Sequence, residues 1–453
     1  MTEKGNPRRL ALDTLCKVGA GQYANLTLDG VLRRADMSDA DRHLYTALVY
    51  GTLERQVTLD FLIEQLSDRT DIEDGVRWIL RLGLYQLAYL DRVPDHAAIH
   101  ETVELAPRRA TGFVNALLRG YTRRMAGART PVTPARWAEA YPVLAGDATR
   151  AMAVAYALPL PLCEKMRTAF GDRAEAVMAA FLDKPPMAIR CNTLKTTPDE
   201  LAARLTSEGC TVERGRYLPH ALLVTEGNPL KGQAFADGLF FVQDEASQIC
   251  VEVLGAAPNE RLADCCACPG SKTFGSAIRM ENRGEIHSFD LHKSKLSLIE
   301  SGAERLGISV VQTEERDARR PDEALLGSMD RVLCDVPCSG LGVIAKKPEI
   351  RHKDLSACER LPAIQADILE AGAGYVKVGG TLVYSTCTWA EEENRLVVEG
   401  FLKNHPEFEP EDFTIPARVE GYADILSCGG MVTLTPDRHG TDGFFVARMK
   451  RIN

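Results

Sequence analysis

The sequence lacks a long apolar run free of charged residues, and no apolar segment follows the basic residues of its first stretch, MTEKGNPRRLALD. A helix that spans a membrane needs about 20 mostly apolar residues, and a secretory leader needs a shorter apolar core. Apolar residues still make up 45% of the 453 residues and charged residues 26%, as in folded globular proteins. We therefore expect a cytoplasmic chain with no membrane partner.

The sequence also lacks a disulfide framework and an overall basic charge. Thirteen cysteines, an odd number, are scattered from Cys16 to Cys428, which argues against a secreted disulfide scaffold. The net charge of -9 does not by itself suggest a nucleic-acid partner. Two local clusters are nevertheless basic, and each is either a solvated face or a patch that binds a polyanion. Their members are Arg108, Arg109, Arg119, Arg123, Arg124, Arg129 and Arg136 in the first cluster, and Lys346, Lys347, Arg351 and Lys353 in the second.

The length and the residue patterns predict several domains. Residues 1–128 carry apolar residues at helical spacing, and the proline-containing stretch GARTPVTPARWAEAYP predicts a linker over residues 129–145. Residues 146–238 begin as helices and become mixed α+β, with a capping box in TTPDE that starts a helix between two strands. Residues 239–453 alternate strands and helices.

This alternation predicts an α/β domain with a mostly parallel, seven-stranded sheet. Five strands are expected in RLADCCA, GEIHSFD, SVVQTEERD, DRVLCDVP and GTLVYSTC, and MVTLTP and DGFFVARMK are expected to close the sheet as an antiparallel pair. Ligands of such folds bind beyond the carboxyl ends of the strands, where the strand order reverses. The candidate site residues are therefore sought there.

The turn after the first strand, DCCACPGSKT, lacks both glycines of a phosphate-binding P-loop, and the dinucleotide pattern GxGxxG is absent. Cys265 and Cys268 form a C-x-x-C pair, which with Cys334 and Cys338 could in principle bind zinc. Nothing in the sequence indicates that these four sulfurs converge, and the order of elements is not that of a thioredoxin. No metal is expected.

Three aspartates end successive strands, and they suggest one ligand. Asp290 follows the second strand, Asp317 the third and Asp335 the fourth. A carboxylate at the tip of the second strand suits a ribose diol, and the small-residue turn before a helix suits a carboxylate or phosphate group. The set predicts a pocket for S-adenosylmethionine.

Two cysteines lie just beyond the fourth and fifth strands. Cys338 follows Asp335 in DVPCSG, and Cys387 lies in YSTCTWAEEEN, so neighbouring strands would bring both sulfurs to one crevice. A thiolate that adds to carbon 6 of a cytosine makes carbon 5 reactive enough to accept a methyl group, and Asp335 could neutralise the charge at N3. From their positions in the chain, either cysteine could be the nucleophile.

Six motifs of the chain resemble those of a known family. DCCACPGSKT, DLHKSKL, RDAR, DVPCSGLGVI, YSTCTWAEEEN and HGTDGFF resemble, in order and spacing, the motifs of the Nol1/Nop2/Sun family of RNA cytosine-5 methyltransferases. The amino-terminal part, with LVYGTLERQVTLD and GFVNALLRG, resembles NusB-type RNA-binding domains. The fusion is similar to the Sun/RsmB branch of the family. The resemblance implies a helical NusB-like domain, a small α+β RNA-binding domain (RRM-like) and a Rossmann-like class I methyltransferase domain.

The resemblance also implies roles for individual residues. Cys387 would attack the base, Cys338 would help to release the product, Asp335 would bind and activate the base, and Lys272 would lie near it. The implied cofactor contacts are Cys266, Ala267, Cys268, Pro269, Gly270, Ser271, Lys272, Asp290, Asp317 and Asp335. Two of these depart from the family, which usually has alanine at 268 and glycine at 271, so that serine would be strained if that position were left-handed.

The resulting hypothesis is methylation of a cytosine in 16S ribosomal RNA, with no protein partner expected. A transfer RNA cytosine-5 methyltransferase of the same family stays open, because the catalytic motifs do not distinguish the two RNAs. A non-catalytic NusB-like RNA-binding or assembly factor is the alternative from another class.

Overall fold

The computed structural model describes residues 5–125 and 130–453. The chain forms two compact units: unit 1 comprises the residues up to Leu182 together with Lys346–Lys353, and unit 2 comprises Asp183–Ala345 and Asp354–Asn453. Along the described ranges, no helix has the length and apolar composition needed to cross a lipid bilayer.

Unit 1 is helical, as the spacing of its apolar residues predicts. Its core is formed by residues such as Leu15, Leu48 and Leu80, all fully buried. The Ser38 side chain accepts a hydrogen bond from the Asp41 amide and caps the third helix. The helices are α1 Pro7–Gly19, α2 Ala24–Arg34, α3 Asp39–Glu54, α4 Gln56–Leu66, α5 Asp74–Tyr89, α6 Asp95–Leu105, α7 Thr111–Met125, α8 Pro134–Ala140, α9 Ala148–Ala155, α10 Leu160–Phe170 and α11 Ala174–Ala180.

The expected linker, residues 129–145, contains a packed helix, α8, and its first residue, Arg129, lies outside the described residues. Pro134 is the first residue of α8 and Thr133 caps it, so this proline starts a helix rather than preventing one. Trp137 and Tyr141 are 1% and 2% exposed, and both rings pack edge-on against Phe61 of α4. The linker interpretation is therefore wrong for this stretch.

The boundary expected at residue 146 also differs from the structure. Helices α9 to α11 belong to unit 1, and the Thr58 hydroxyl donates a 2.6 Å hydrogen bond to the Val154 carbonyl. The inserted segment Lys346–Lys353 packs in the same unit: Arg351, 1% exposed, donates to the carbonyls of Tyr156 and Phe181 at 3.1 and 2.8 Å. The sequence change from helical to mixed therefore marks the boundary better than the prolines do.

Unit 2 begins with a small antiparallel sheet in the order β2-β3-β1-β4. Thr197 and Glu200 form the predicted capping box at the start of α12. The expected strand, helix and strand are confirmed. The elements are β1 Met187–Cys191, α12 Pro198–Ser207, β2 Thr211–Arg214, β3 Ala221–Glu226, α13 Gln233–Ala236 and β4 Phe240–Val242.

The rest of unit 2 is an α/β sandwich around a larger sheet, in the order β10-β14-β9-β8-β5-β6-β7, with β13 paired to β14. Strands β5 to β9 are parallel, whereas β10, β13 and β14 are antiparallel to their neighbours. The elements are α14 Glu245–Leu254, β5 Arg261–Asp264, α15 Ser271–Arg279, β6 Glu285–Asp290, α16 Lys293–Leu306, β7 Val311–Glu315, β8 Met329–Asp335, α17 Leu361–Tyr375, β9 Val376–Thr386, α18 Arg395–Asn404, β10 Phe408–Pro410, β13 Met431–Leu434, α19 Pro436–His439 and β14 Phe444–Arg451, with β11 Thr414–Ile415 and β12 Ile425–Leu426 as a separate pair.

All seven expected strands are present, and β10 is an eighth member of the sheet. It has three residues and ends in Pro410, so it offers no alternating pattern that could predict it. Both faces of the sheet are covered. Leu333 and Val383 belong to one hydrophobic core, and the adjacent residues Val332 and Leu382 belong to the other. This burial on both faces explains why the central strands β8 and β9 carry consecutive apolar residues, whereas the edge strand β7 is mostly polar and exposed.

Candidate active site

The strand order reverses beside β5, with β6 and β7 on one side and β8 and β9 on the other. The loop after β5 and the loop after β8 therefore border the position where ligands of such sheets bind. The chain places its cysteine-rich turn in the first loop and Asp335 and Cys338 at the second.

The loop after β5 turns tightly into α15. Gly270 has a φ of +106°, and a Cβ atom there would lie 2.5 Å from the Phe274 ring. Ser271 is the first residue of α15 and does not have a positive φ. The left-handed position is thus occupied by a glycine, and the expected strain at Ser271 does not arise. Cys268 precedes Pro269 through a cis peptide bond.

The two cysteines that follow β8 and β9 are brought together. These strands are parallel neighbours, with Asp335 paired in register with Ser385. The sulfurs of Cys338 and Cys387 lie 3.3 Å apart. The hydrogen bond with Cys387, then burial and the Glu393 carboxylate, raise the pKa of Cys338 well above its usual value.

Backbone contacts fix the two cysteine loops to each other. The Gly342 amide donates to the Cys387 carbonyl at 3.0 Å, and the Gly443 amide donates to the Gly342 carbonyl at 2.8 Å. The indole of Trp389 donates to the Leu341 carbonyl at 3.1 Å. A Cβ atom at Gly342 would lie 1.7 Å from the Gly443 carbonyl oxygen, so this approach requires glycine. The motifs DVPCSGLG, YSTC and HGTDG thus meet in space.

Lys272, the second residue of α15, forms an ion pair with Asp335. Its Nζ lies 2.6 Å from Asp335 Oδ2, and the Ser385 hydroxyl donates to Asp335 Oδ1 at 2.7 Å. Burial lowers the pKa of Lys272, but Asp335, Cys250 and Cys387 offset this effect and raise the pKa above its usual value. Sequence reasoning missed Ser385, although its position two residues before Cys387 on the strand beside Asp335 was a usable signal.

Asp264, at the end of β5, is a second residue that sequence reasoning missed. It is 1% exposed, and the Thr273 hydroxyl donates to its Oδ2 at 2.7 Å. Burial raises the pKa of Asp264 to about 7, against the opposing effect of the Thr273 hydrogen bond. Its place at the end of the first parallel strand was the only signal in the sequence.

Asp290 and Asp317 lie at the same edge of the sheet. The Arg316 amide donates to the Asp290 carbonyl at 2.9 Å, next to Asp317. Asp290 Oδ1 accepts the His292 amide at 2.9 Å. The Asp317 carboxylate binds the Arg319 guanidinium at 2.9 and 2.7 Å, and this hydrogen bonding lowers the pKa of Asp317 to about 2.

Cys266 lies close enough to three carboxylates at this edge of the sheet for their charges to act on its thiol. Burial and then the charges of Cys265, Asp264, Asp335 and Asp290 raise the pKa of Cys266 well above its usual value. The Ala267 amide donates to the Phe289 carbonyl at 2.8 Å and attaches the loop to β6. The turn around Cys266, Asp264, Asp290 and Asp335 therefore lie near one another at the carboxyl edge of the sheet, where the strand order reverses, and we refer to this region as the acidic crevice.

The four sulfurs that could in principle bind zinc do not converge. Cys265 and Cys334 are buried in the core of the sheet, whereas Cys338 lies beside Cys387. In the described part of the chain, the one group of three or more His, Cys, Asp or Glu residues whose ligand atoms all lie within 4.8 Å of one another is His100, Glu101 and Glu104. All thirteen cysteines lie within that part, and none forms a disulfide.

The basic clusters differ in their exposure. Arg109 is exposed and pairs with Glu73 at 2.7 Å, and Arg119 is exposed on α7. The Arg124 guanidinium lies 4.3 Å above the Tyr141 ring. Arg351 is buried, so the second cluster cannot present this residue to a polyanion.

Family models match three parts of the chain. The model described as 16S rRNA methyltransferase RsmB/F matches residues 251–450. The NusB family model matches residues 5–123. The model of the ferredoxin-like domain of RsmF/B-like methyltransferases matches residues 158–231. These matches agree with the helical, mixed and α/β regions.

Curated proteins match over the full length. The chain is 35% identical to the probable ribosomal RNA small subunit methyltransferase B of Bacillus subtilis, over 99% of each chain. It is 34% identical to the ribosomal RNA small subunit methyltransferase B of Thermus thermophilus, over 99% of this chain and 98% of the relative.

Solved structures agree with the fold. A methyltransferase homolog protein from Pyrococcus horikoshii is 27% identical and has a TM-score of 0.59, covering 68% of this chain and 99% of its own. A further structure, at 24% identity, has a TM-score of 0.78 over 98% of both chains and supports the fold alone. With the full-length identities above, these findings establish that the chain belongs to the RsmB/F family of ribosomal RNA methyltransferases.

Proposed function

We propose that this chain methylates carbon 5 of a cytosine in 16S ribosomal RNA, with S-adenosylmethionine as the methyl donor and a covalent cysteine adduct as the intermediate. The observation that carries the proposal is the 3.3 Å separation of the Cys338 and Cys387 sulfurs beside the Lys272–Asp335 ion pair. In a reaction that forms a carbon–sulfur bond and later breaks it, one thiol can act as the nucleophile and the adjacent thiol can assist the release of the product. The names of the full-length relatives favour the small-subunit RNA over transfer RNA.

The acidic crevice fits S-adenosylmethionine. Its sulfonium and ammonium groups are cationic, and Asp264, Asp290 and Asp335 all act on the Cys266 thiol in the crevice. The residues that would hold the donor are the loop Cys266–Lys272, Asp290 and Asp335. Asp317 would join them only by giving up bonds to Arg319. Bound S-adenosylmethionine would supply the methyl group as an electrophile.

The residues of the chain would carry the other steps. The Cys387 thiolate forms a bond to carbon 6 of the cytosine, and the electrons of the 5,6 double bond move towards carbon 5 and N3. The Lys272 ammonium is hydrogen-bonded to Asp335, which passes a proton from it to N3 as negative charge develops on the ring, and N3 returns this proton when the double bond re-forms.

Cys338 would act after carbon 5 has received its methyl group. Its pKa is raised chiefly by the hydrogen bond with Cys387, and this contribution ends once Cys387 is bonded to carbon. Cys338 then loses its proton to solvent and removes the proton from carbon 5. The electrons of that C–H bond re-form the double bond and expel the Cys387 thiolate, so the net change is the exchange of one proton for one methyl group.

The test is transfer of a labelled methyl group to small-subunit ribosomal RNA. Cys387→Ala should abolish transfer because no nucleophile is left to activate carbon 5. Cys428→Ala, at an exposed cysteine outside the site, is the matched control and should retain activity. Full activity of Cys387→Ala would refute the assigned nucleophile.

Bisulfite sequencing of ribosomal and transfer RNA from a deletion strain would identify the substrate. The proposal expects one cytosine of 16S ribosomal RNA to lose its methyl group. A loss confined to transfer RNA would refute the choice of RNA, and an absence of any loss would favour a non-catalytic role.

A further inference from the structure

Glu393 is a buried acid between the two cysteine loops, and the reaction proposed above assigns it no role. It ends a 3-10 helix, Glu391–Glu393, and is 2% exposed, whereas Glu391 and Glu392 are exposed. Its Oε2 accepts the Ser339 amide at 2.8 Å and the Gln365 side-chain amide at 3.0 Å. Burial of a carboxylate destabilises the fold unless hydrogen-bond donors satisfy its oxygens, and the Ser339 and Gln365 amides are both donors.

These contacts hold the Cys338 loop on both sides of the thiol. Gln365, which donates to Glu393, also donates to the Pro337 carbonyl at 2.9 Å. The Ser339 amide, on the other side of Cys338, donates to Glu393 directly. The backbone before and after Cys338 is therefore tied to one carboxylate.

The same residue is also tied to the Cys387 loop. The Tyr384 hydroxyl donates to the Glu393 carbonyl at 2.5 Å, and Tyr384 lies three residues before Cys387 on β9. The Ser339 hydroxyl donates to Thr388 Oγ1 at 2.9 Å, next to Cys387. Glu393 thus lies where the two loops are joined. Because it is far from Cys338 along the chain, the sequence does not predict this contact.

The charges around the two thiols are unequal. The Glu393 carboxylate binds the residue next to Cys338 and disfavours a negative charge on that sulfur. The Lys272 ammonium interacts with Cys387 and favours a negative charge there. Two sulfurs 3.3 Å apart cannot both ionise easily, so a modest bias decides which of them is the thiolate.

We propose that Glu393 is the positioning residue that assigns the two thiols their roles, by fixing the Cys338 loop against the Cys387 loop and placing a negative charge on the Cys338 side. Cys387 is then the thiolate of the resting enzyme, and Cys338 keeps its proton until Cys387 has been consumed. The inference rests on the proposed function, but its test needs no RNA.

The experiment measures which thiol of the full-length reduced protein reacts with a limiting amount of iodoacetamide. Trypsin separates the two sites into the peptides 332–346 and 378–395, and fragmentation distinguishes Cys338 from the buried Cys334 on the first peptide. The wild-type protein should be alkylated mainly at Cys387. Glu393→Gln, which keeps the shape and one acceptor oxygen, should lower the ratio of Cys387 to Cys338 labelling by about tenfold, the effect of one pKa unit.

Glu391→Gln is the matched control, because it removes an exposed carboxylate from the same 3-10 helix and should leave the ratio unchanged. An unchanged ratio in a folded Glu393→Gln protein would overturn the inference. If that variant does not fold, the pH dependence of labelling in the wild-type protein tests the order in which the two thiols ionise. The labelling of each thiol is measured as the pH is raised. The titratable groups that act on Cys338 are Glu393, Tyr384 and Cys387, and the charged group that acts on Cys387 is Lys272. Cys387 should react at lower pH, and equal or earlier reaction of Cys338 would overturn the inference.

Methyl transfer separates this inference from the proposed function. Glu393→Gln should lower kcat by about tenfold with little change in the KM for RNA, because the carboxylate does not contact the RNA base in this scheme. If the wild-type protein methylates no RNA but shows the expected labelling, the proposed function fails and the assignment of the thiols stands. If methylation is normal and the labelling ratio does not depend on Glu393, the inference fails alone.

Discussion

At the residue scale, the site consists of charges held in a buried setting, and Asp264 is the clearest case. It lies at the carboxyl end of β5, is almost completely buried, and accepts a hydrogen bond from the Thr273 hydroxyl. Its pKa of about 7 means that it takes up a proton in the folded protein at pH values where an unfolded chain is ionised. A group that is protonated more easily when folded makes stability depend on pH.

The sign follows from that difference. The stabilising effect of the Asp264 proton is fully present below the ordinary carboxyl pKa and is lost as pH rises through about 7. Asp264→Asn carries no titrating group, so its stability lacks this contribution. The melting temperature of the wild-type protein minus that of the variant should therefore fall between about pH 5 and about pH 8.

Thermal unfolding at the two pH values measures this difference, and the other carboxyls cancel in the comparison. Asp317→Asn serves as the control, because the Asp317 pKa of about 2 lies below both pH values and its contribution should not change between them. A difference for Asp264→Asn that does not vary with pH would contradict the assigned pKa.

Some residues of the candidate site could be predicted from the sequence, and others could not. Cys338, Cys387, Asp335 and Lys272 were predicted because each lies in a recognisable motif, and the structure brings them together. Ser385 and Glu393 act across strand register and loop contacts, which the spacing along the chain does not encode. The hydrogen bonds that make them part of the site appear only once β8 and β9 lie side by side.

At the scale of elements, the loop between β5 and α15 depends on one glycine. Gly270 has a φ of +106°, and an added Cβ would lie 2.5 Å from Phe274. Gly270→Ala therefore meets both a disfavoured backbone conformation and a steric clash, each worth on the order of 1 kcal/mol or more. The variant should bind S-adenosylmethionine about tenfold more weakly, which is about 1.4 kcal/mol.

Calorimetry with S-adenosylmethionine measures the affinity. Gly400→Ala is the matched control, because Gly400 lies inside α18 with open space around it, and alanine there should stabilise the helix. Unchanged affinity of Gly270→Ala would show that the shape of this loop does not matter for the donor.

The segment Lys346–Lys353 is a second element whose role its sequence does not reveal. It reads as a basic cluster, yet Arg351 is buried and satisfies the carbonyls of Tyr156 and Phe181. Arg351→Met keeps the apolar stem and leaves two buried acceptors without their donor, at a cost of about 2 to 3 kcal/mol. At about 2–4 °C per kcal/mol for a unit of this size, the midpoint of thermal unfolding should fall by roughly 4–12 °C.

Lys347→Met is the control, because Lys347 is exposed in the same segment. Its unfolding midpoint should match that of the wild-type protein. If Arg351→Met unfolds at the wild-type temperature, the segment does not contribute to the stability of unit 1.

At the scale of the whole molecule, the order of helical, mixed and α/β regions could be predicted because periodicity changes sharply between them. The unit boundary could not be placed from composition. Pro134 starts α8 and Pro142 starts a 3-10 helix, and the aromatic residues Trp137 and Tyr141 pack into unit 1. The eight-residue segment that belongs to unit 1 despite its place in the middle of unit 2 was equally hidden, since only tertiary contacts define it.

Covalent capture of RNA by Cys338→Ala tests directly whether Cys387 attacks the base and Cys338 releases the product. The purified variant is incubated with small-subunit ribosomal RNA and S-adenosylmethionine and then resolved on a denaturing gel. We expect a protein–RNA adduct that accumulates in Cys338→Ala and disappears in the double variant Cys338→Ala/Cys387→Ala. An adduct that persists in the double variant, or that requires Cys338 and not Cys387, would contradict these roles.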